Sequence, residues 1–149
     1  MIKVRKAFWH DRDELFKLAS TNEVRQASFT TGLIDYQNHL IWFEGILGSP
    51  NERIFILEID DNFAGQVRFT YDQVTRECKV GISLKEEVRG ENVAVNFFYR
   101  SLFLFKKEMQ SCKIITAYIK KNNLRSKNFF QKAGFIYSKD IQVNGLEAE

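Results

Sequence analysis

The segment Val88-Arg89-Gly90-Glu91-Asn92-Val93-Ala94 lies between a strand-like run and a long apolar helical run. A turn in that place leaves unpaired backbone N–H groups at the positive end of a helix, which suits a pyrophosphate. A second polar cluster, Asn123-Leu124-Arg125-Ser126, opens another helix. Asn123 has the chemistry of an N-cap there, and Ser126 falls in the first turn. Groups able to move protons are scattered: Glu58 and Glu77 are candidate bases in or beside strand-like runs, and Tyr71, Tyr99 and Tyr118 are candidate acids. Cys78 and Cys112 have neither C-x-x-C spacing nor the company of His10 and His39, so no metal site and no disulfide framework is expected.

The elements that must carry these groups follow from periodicity. Alternation predicts a strand over 2–5, and Leu15, Leu18 and Ala19 share one face of a helix over 11–19 that Asp11 could cap. Residues 29–33 read as a loop. Asp35 caps a helix through Leu40, Phe43, Ile46 and Leu47, stopped by Gly48-Ser49-Pro50. Strands over 54–59, 64–71 and 78–84, parted by polar turns, form a meander. The run 93–109 is apolar on most sides, which marks a central helix. A strand over 114–119, a helix over 124–133 ended by Gly134 and a long strand over 135–143 come next, and Asn144-Gly145 signals a hairpin with a return strand over 146–149.

The chain has 149 residues, 44% of them apolar, and a net charge of +3 spread without a polybasic block. That composition predicts one domain, 1–149, and argues against nucleic acid as a partner. No stretch approaches the ~18 apolar residues of a membrane span, and two isolated cysteines fit a reducing cytoplasm.

In order and spacing, the second half resembles the GNAT acetyltransferases, whose cofactor motif Q/R-x-x-G-x-G/A follows the fourth strand. Arg89 and Ala94 match its outer positions, while Asn92 stands where the middle glycine would be, a residue that tolerates positive φ. Asn123, Ser126 and the stretch Phe130-Gln131-Lys132-Ala133-Gly134-Phe135 match the second motif. The resemblance implies an α/β fold: a mixed, twisted sheet of six to seven strands with about four helices, splayed between strands four and five. It implies acetyl-CoA as cofactor, bound by Arg89, Gly90, Glu91, Asn92, Val93, Ala94, Asn123, Ser126 and Phe130, with backbone groups of Ile82, Ser83 and Leu84 bordering the acetyl group and pantetheine. The family often has a glutamate on the fourth strand and a tyrosine in the last helix; this chain has Lys79 and Phe130 there. A water-relayed base with backbone polarisation, or a fold that only binds, would both accommodate that departure.

The first half carries the acceptor side in this superfamily. Asn22-Glu23-Val24-Arg25, Ser28-Phe29, His39-Leu40-Ile41-Trp42-Phe43 and Gly65-Gln66-Val67-Arg68-Phe69 resemble enzymes that acetylate nucleotide-linked amino sugars in pseudaminic-acid-type pathways. The resemblance implies Arg25 and Arg68 for phosphates, Trp42 and Phe29 for packing on base or sugar, and Gln66 and His39 for hydroxyls. Arg25 equally suits an ion pair with Glu23 or Glu58. RimJ/RimL-like protein acetyltransferases share several of these features, which keeps a peptide acceptor open; a homodimer is a separate expectation.

Overall fold

The computed structural model describes residues 1–30 and 32–149, and the side chain of Glu91, assigned above to the phosphate turn, lies outside the described residues. β1 (Ile2–Lys6) leads through a 3-10 turn (Trp9–Asp11) into α1 (Arg12–Ala19), α2 (Asn22–Ala27) and α3 (Tyr36–Leu47). The meander follows as β2 (Glu52–Ile59), β3 (Asn62–Tyr71) and β4 (Glu77–Leu84). A 3-10 turn (Glu86–Val88) then enters α4 (Glu91–Glu108). β5 (Ile114–Thr116), α5 (Leu124–Lys132), β6 (Ile141–Val143) and β7 (Leu146–Ala148) complete the order.

Five strands pair in the order β1-β2-β3-β4-β5, and β6-β7 form a separate hairpin, so the expected six to seven strands divide into five and two. Only the β4–β5 pairing in the larger sheet is parallel, as it must be with α4 as the crossover between them.

Strand alternation sorts the core into two layers. Phe55 and Leu57 of β2 face the α4–α5 side with Val67, Phe69, Phe97, Phe98 and Phe105, whereas Ile54 and Ile56 face α1 and α3 with Leu15, Phe43 and Ile46. Phe69 stacks on Phe105 with ring centroids 4.4 Å apart, which locks α4 across the middle of the sheet. Within α4, Ser101 Oγ is buried and has no hydrogen-bond partner among the described residues. Ser101→Ala is therefore expected to raise stability by about 1 kcal/mol, read as a higher denaturant midpoint at unchanged slope. A lowered midpoint would mean that the hydroxyl has a partner.

Several expectations are revised. The strand over 135–143 shrinks to Ile141–Val143, because Ile136 and Tyr137, 91% and 60% exposed, have no sheet to join. The strand over 114–119 shrinks to Ile114–Thr116, where β4 and β5 part. α2 lies in a region with no apolar periodicity: it buries no residue and is held by Thr21, whose Oγ1 accepts from the Val24 N–H at 3.4 Å. Asp35 caps α3 as expected, accepting from the Asn38 N–H at 3.1 Å. Asp11 does not cap α1, since its carboxylate is engaged by Arg5 and the Phe8 N–H. Asn144 and Gly145, both at positive φ, turn the β6–β7 hairpin.

Candidate functional site

β4 and β5 stay together for three residue pairs, ending with Lys79 opposite Thr116, and then part. Beyond Thr116 the chain turns to the hairpin: Ile119 exchanges backbone bonds of 2.8 Å with Glu149, and the Lys121 N–H donates to the Glu147 carbonyl at 3.3 Å. β4 remains paired with β3 as far as Leu84. A V-shaped opening results, closed at Lys79 and Thr116 and widest near Leu84.

Alternation decides which backbone groups face that opening. The Lys85 N–H donates to Ala64 and the Glu77 carbonyl accepts from Asp72, so the odd-numbered residues of β4 turn their backbone toward β3. Val80, Ile82 and Leu84 turn theirs toward the V. Ser83 does not, which removes its backbone from the set expected to border an acyl chain. Gly65 lets β3 and β4 approach closely at this level: a Cβ there would lie 2.6 Å from the Ser83 carbonyl oxygen and 2.4 Å from Leu84 Cδ2.

The wide end of the V meets the start of α4. Gly90 is extended (φ −162, ψ 142), and a Cβ added to it would meet nothing within 4 Å. Neither backbone strain nor packing in the protein calls for glycine there, so the bare position leaves room for a ligand against the chain. No side chain among the described residues caps α4, which leaves its first-turn amides without a partner among them, and the first helical bond runs from the Ala94 N–H to the Gly90 carbonyl at 3.0 Å. Arg89 Nε donates to the Leu84 carbonyl at 3.2 Å, which fixes the side chain beside these amides with both Nη groups free to donate elsewhere. These features fit a pyrophosphate. Asn92 has no need of the positive φ that asparagine tolerates; it is already inside α4 and lines a groove with Val4, Val95 and Asn96. Val93 and Ala94 pack half-buried against the core.

Across the V, Asn123 Oδ1 accepts from the Ser126 N–H at 3.2 Å and caps α5, which leaves the Asn123 amide nitrogen as a donor for a ligand. Phe130 is only 5% exposed and packs edge-on against Phe98, Phe129 and Phe135. It is a core side chain, with no polar group to offer a cofactor.

The sheet face toward α1 and α3 carries Glu77, Lys79, Gly81 and Ser83 from β4 beside Gln66, Arg68 and Thr70 from β3. The Arg68 guanidinium lies 5.4 Å from the Trp42 ring centroid and has no hydrogen bond or ion pair among the described residues. It is reachable by solvent yet crowded by its neighbours; that crowding lowers its pKa, and Glu52 acts in the opposite sense. At the closed end of the V, Tyr118 reaches across from the far wall. Its hydroxyl donates to Glu77 Oε1 at 3.3 Å, and Lys79 Nζ lies 5.0 Å from its ring centroid. A recess of about 530 Å³ opens beside them, lined also by Thr70, Asp72 and Gln73.

Four residues expected at the acceptor or proton-transfer site are held elsewhere. Glu58 pairs with Arg5 Nε at 2.7 Å, between β1 and β2, and is not free to act as a base. Arg25 binds neither Glu23 nor Glu58; it donates to the Ala19 and Thr30 carbonyls and to Ser28 Oγ, pinning the turn after α2. His39 is 4% exposed, its Nε2–H donates to the Arg12 carbonyl at 2.9 Å, and burial lowers its pKa, which keeps it neutral. Phe29 is half-buried, and its carbonyl accepts from Asn144 of the hairpin at 3.3 Å. Burial pushes the Cys78 thiol up to about 12, so it is no nucleophile at neutral pH. No group of metal-binding side chains occurs among the described residues, and no helix among them is long and apolar enough to cross a membrane.

Comparison with known proteins agrees with this geometry. Residues 2–136 match the family described as "Acetyltransferase (GNAT) domain". A spermidine N-acetyltransferase from Vibrio cholerae, solved with CoA and spermine, superposes with a TM-score of 0.84 at 16% identity, covering 99% of this chain and 90% of that one. The ribosomal L7/L12 alpha-N-protein acetyltransferase RimL, solved with coenzyme A, superposes at 0.81 and 12% identity, with the same coverage of 99% and 90%. A domain from Methanocaldococcus jannaschii does so at 0.79 and 20% identity, covering 99% and 96%. No curated protein matches the sequence significantly.

Proposed function

The chain belongs to the GNAT acetyltransferase family, and from that premise we propose that it acetylates the primary amine of a phosphate-bearing acceptor, in the form of a nucleotide-linked amino sugar. It is an acyltransferase whose cofactor is acetyl-CoA, and we take the whole chain as one catalytic domain. Acetyl-CoA, when bound, supplies an activated thioester carbonyl. The first-turn amides of α4 and Arg89 would hold its pyrophosphate, Asn123 and the backbone of Ile82 with the Leu84 N–H would hold its arm, and Glu77 takes the proton the amine must lose.

One observation carries the acceptor assignment: the exposed Arg68 guanidinium lies over the Trp42 ring, 5.4 Å from its centroid, and the described residues leave it without an anionic hydrogen-bond partner. A guanidinium so placed favours a bidentate anion and disfavours a polycation. Gln66, beside it on β3, is within the same surface for a hydroxyl.

Arg68→Lys keeps the charge and loses the fork. It is expected to raise KM for a nucleotide-linked amino sugar about tenfold while acetyl-CoA affinity by calorimetry stays the same. An N-terminal peptide acceptor, having no phosphate, should respond little. Steady-state kinetics on both acceptor classes decide it; turnover of peptides alone, or an Arg68→Lys variant equal to wild type on the sugar nucleotide, overturns the sugar assignment.

A further inference from the structure

Acetyl transfer also needs an acid: as the amine nitrogen bonds to the carbonyl carbon, the carbon–sulfur bond breaks and the departing sulfur must gain a proton. Phe130 has no hydroxyl and is buried in the core. We propose that Tyr118 is the proton donor to that sulfur, and that Glu77 returns the proton to it. This rests on the acetyl-transfer reading above.

Three observations carry the assignment. The first is position: the Tyr118 hydroxyl reaches Glu77, which pairs with Ile114 beside the closed end of the V at Lys79 and Thr116. The second is connection. The Tyr118 hydroxyl donates to Glu77 Oε1 at 3.3 Å across the two strands that form the V, so donor and base are one hydrogen-bonded pair. The third is access: both side chains line the open recess on the acceptor side of the sheet, together with Lys79 and Asp72. The other candidate tyrosines have their hydroxyls engaged away from Glu77. Tyr71 shares its hydroxyl with Ser111 at 2.9 Å, and the Tyr99 hydroxyl donates to the Ala133 carbonyl between α4 and α5.

The proton balance closes within this pair. Glu77 accepts the proton released by the nitrogen, Tyr118 Oη gives its own to the sulfur, and Glu77 then passes the first proton to the Tyr118 phenolate. The products are the amide and free thiol, and both residues return to their starting states. Burial, followed by the Glu77 charge, raises the Tyr118 pKa, so the phenol is protonated throughout the neutral range. Glu77 and Lys79 on β4 and Asp72 in the turn before it are the charged groups facing this phenol.

Tyr118→Phe tests the proposal, since it removes one oxygen and leaves the ring beneath Lys79. The expected result is a loss of about 100-fold in kcat, with KM and the acetyl-CoA-induced rise in Tm unchanged, and with the alkaline fall in kcat expected of wild type absent from the variant. A second readout needs no turnover. The tyrosinate absorbance that differs between wild type and Tyr118→Phe should titrate at lower pH in Glu77→Gln, because the neighbouring negative charge is gone. A kcat within about threefold of wild type, or a titration that Glu77→Gln leaves unmoved, overturns the assignment. Wild-type protein that acetylates no amine while the titration shifts as expected overturns the acetyl-transfer reading and leaves the hydrogen-bonded pair standing.

Discussion

Gly65→Ala is expected to destabilise the protein by about 3 kcal/mol, the upper end of what overpacking costs, and to lower Tm by roughly 6–12 °C. The added methyl would sit 2.6 Å from the Ser83 carbonyl oxygen, and a backbone oxygen in a paired strand cannot turn aside as the Leu84 side chain could. β4 must instead move away from β3 at Ser83 and Leu84, where it also lines the V. The same substitution should therefore shrink the stabilisation that acetyl-CoA confers, measured as the ligand-induced change in Tm. An unchanged Tm would show that β3 and β4 have slack at this level.

Arg5→Ala is expected to cost about 3–5 kcal/mol at neutral pH, because it leaves a buried carboxylate without its partner. Arg5 bridges Asp11 through two bonds of 2.8 Å and Glu58 through one of 2.7 Å, and Asp11 is 4% exposed. Burial pushes the Asp11 carboxyl up, but the Arg5 bonds and the Phe8 N–H outweigh it and hold the carboxyl below the ordinary range. A depressed carboxyl stabilises the fold above its unfolded value, and that contribution is lost as pH falls through the folded one. In Arg5→Ala burial, the largest influence on Asp11, is opposed only by the Phe8 bond and the neighbouring His10, so protonating Asp11 relieves the variant rather than harming it. The stability gap between wild type and variant should thus narrow as pH drops toward about 3. Denaturant titrations at both pH values check it; an equal gap at both would mean that lost packing, not charge, is responsible.

How far the sequence could be read depended on the range of each interaction. The breadth of apolar character in α4, the Asp35 and Asn123 caps and the Asn144-Gly145 hairpin are local features, visible in a window of a few residues, and each stands in the structure. The resemblance to a family reached further, to the parting of β4 and β5. Individual side chains were less legible. Glu58 looks like a free strand carboxylate until Arg5, 53 positions away, is brought beside it by the β1–β2 pairing. His39 and Arg25 are withdrawn by carbonyls whose positions no spacing rule supplies. The pairing of Tyr118 with Glu77, 41 positions apart, depends on the parallel register of β4 with the three-residue β5 and had no local signal.

That register has a consequence for how the protein moves. β2, β3 and β4 follow one another through short turns and share long ladders, so the amides bonded within those ladders, unlike the β4 amides that face the V, should exchange with solvent only when the whole domain unfolds. β5 is held to β4 by three pairs, across a parallel crossover that must wait for α4, and Ile114 at its start is 57% exposed. The two walls of the V therefore belong to different cooperative units: one is a permanent scaffold, the other assembles late and opens at small cost. A ligand spanning both walls would slow exchange chiefly on the β5 side, where protection is otherwise weakest.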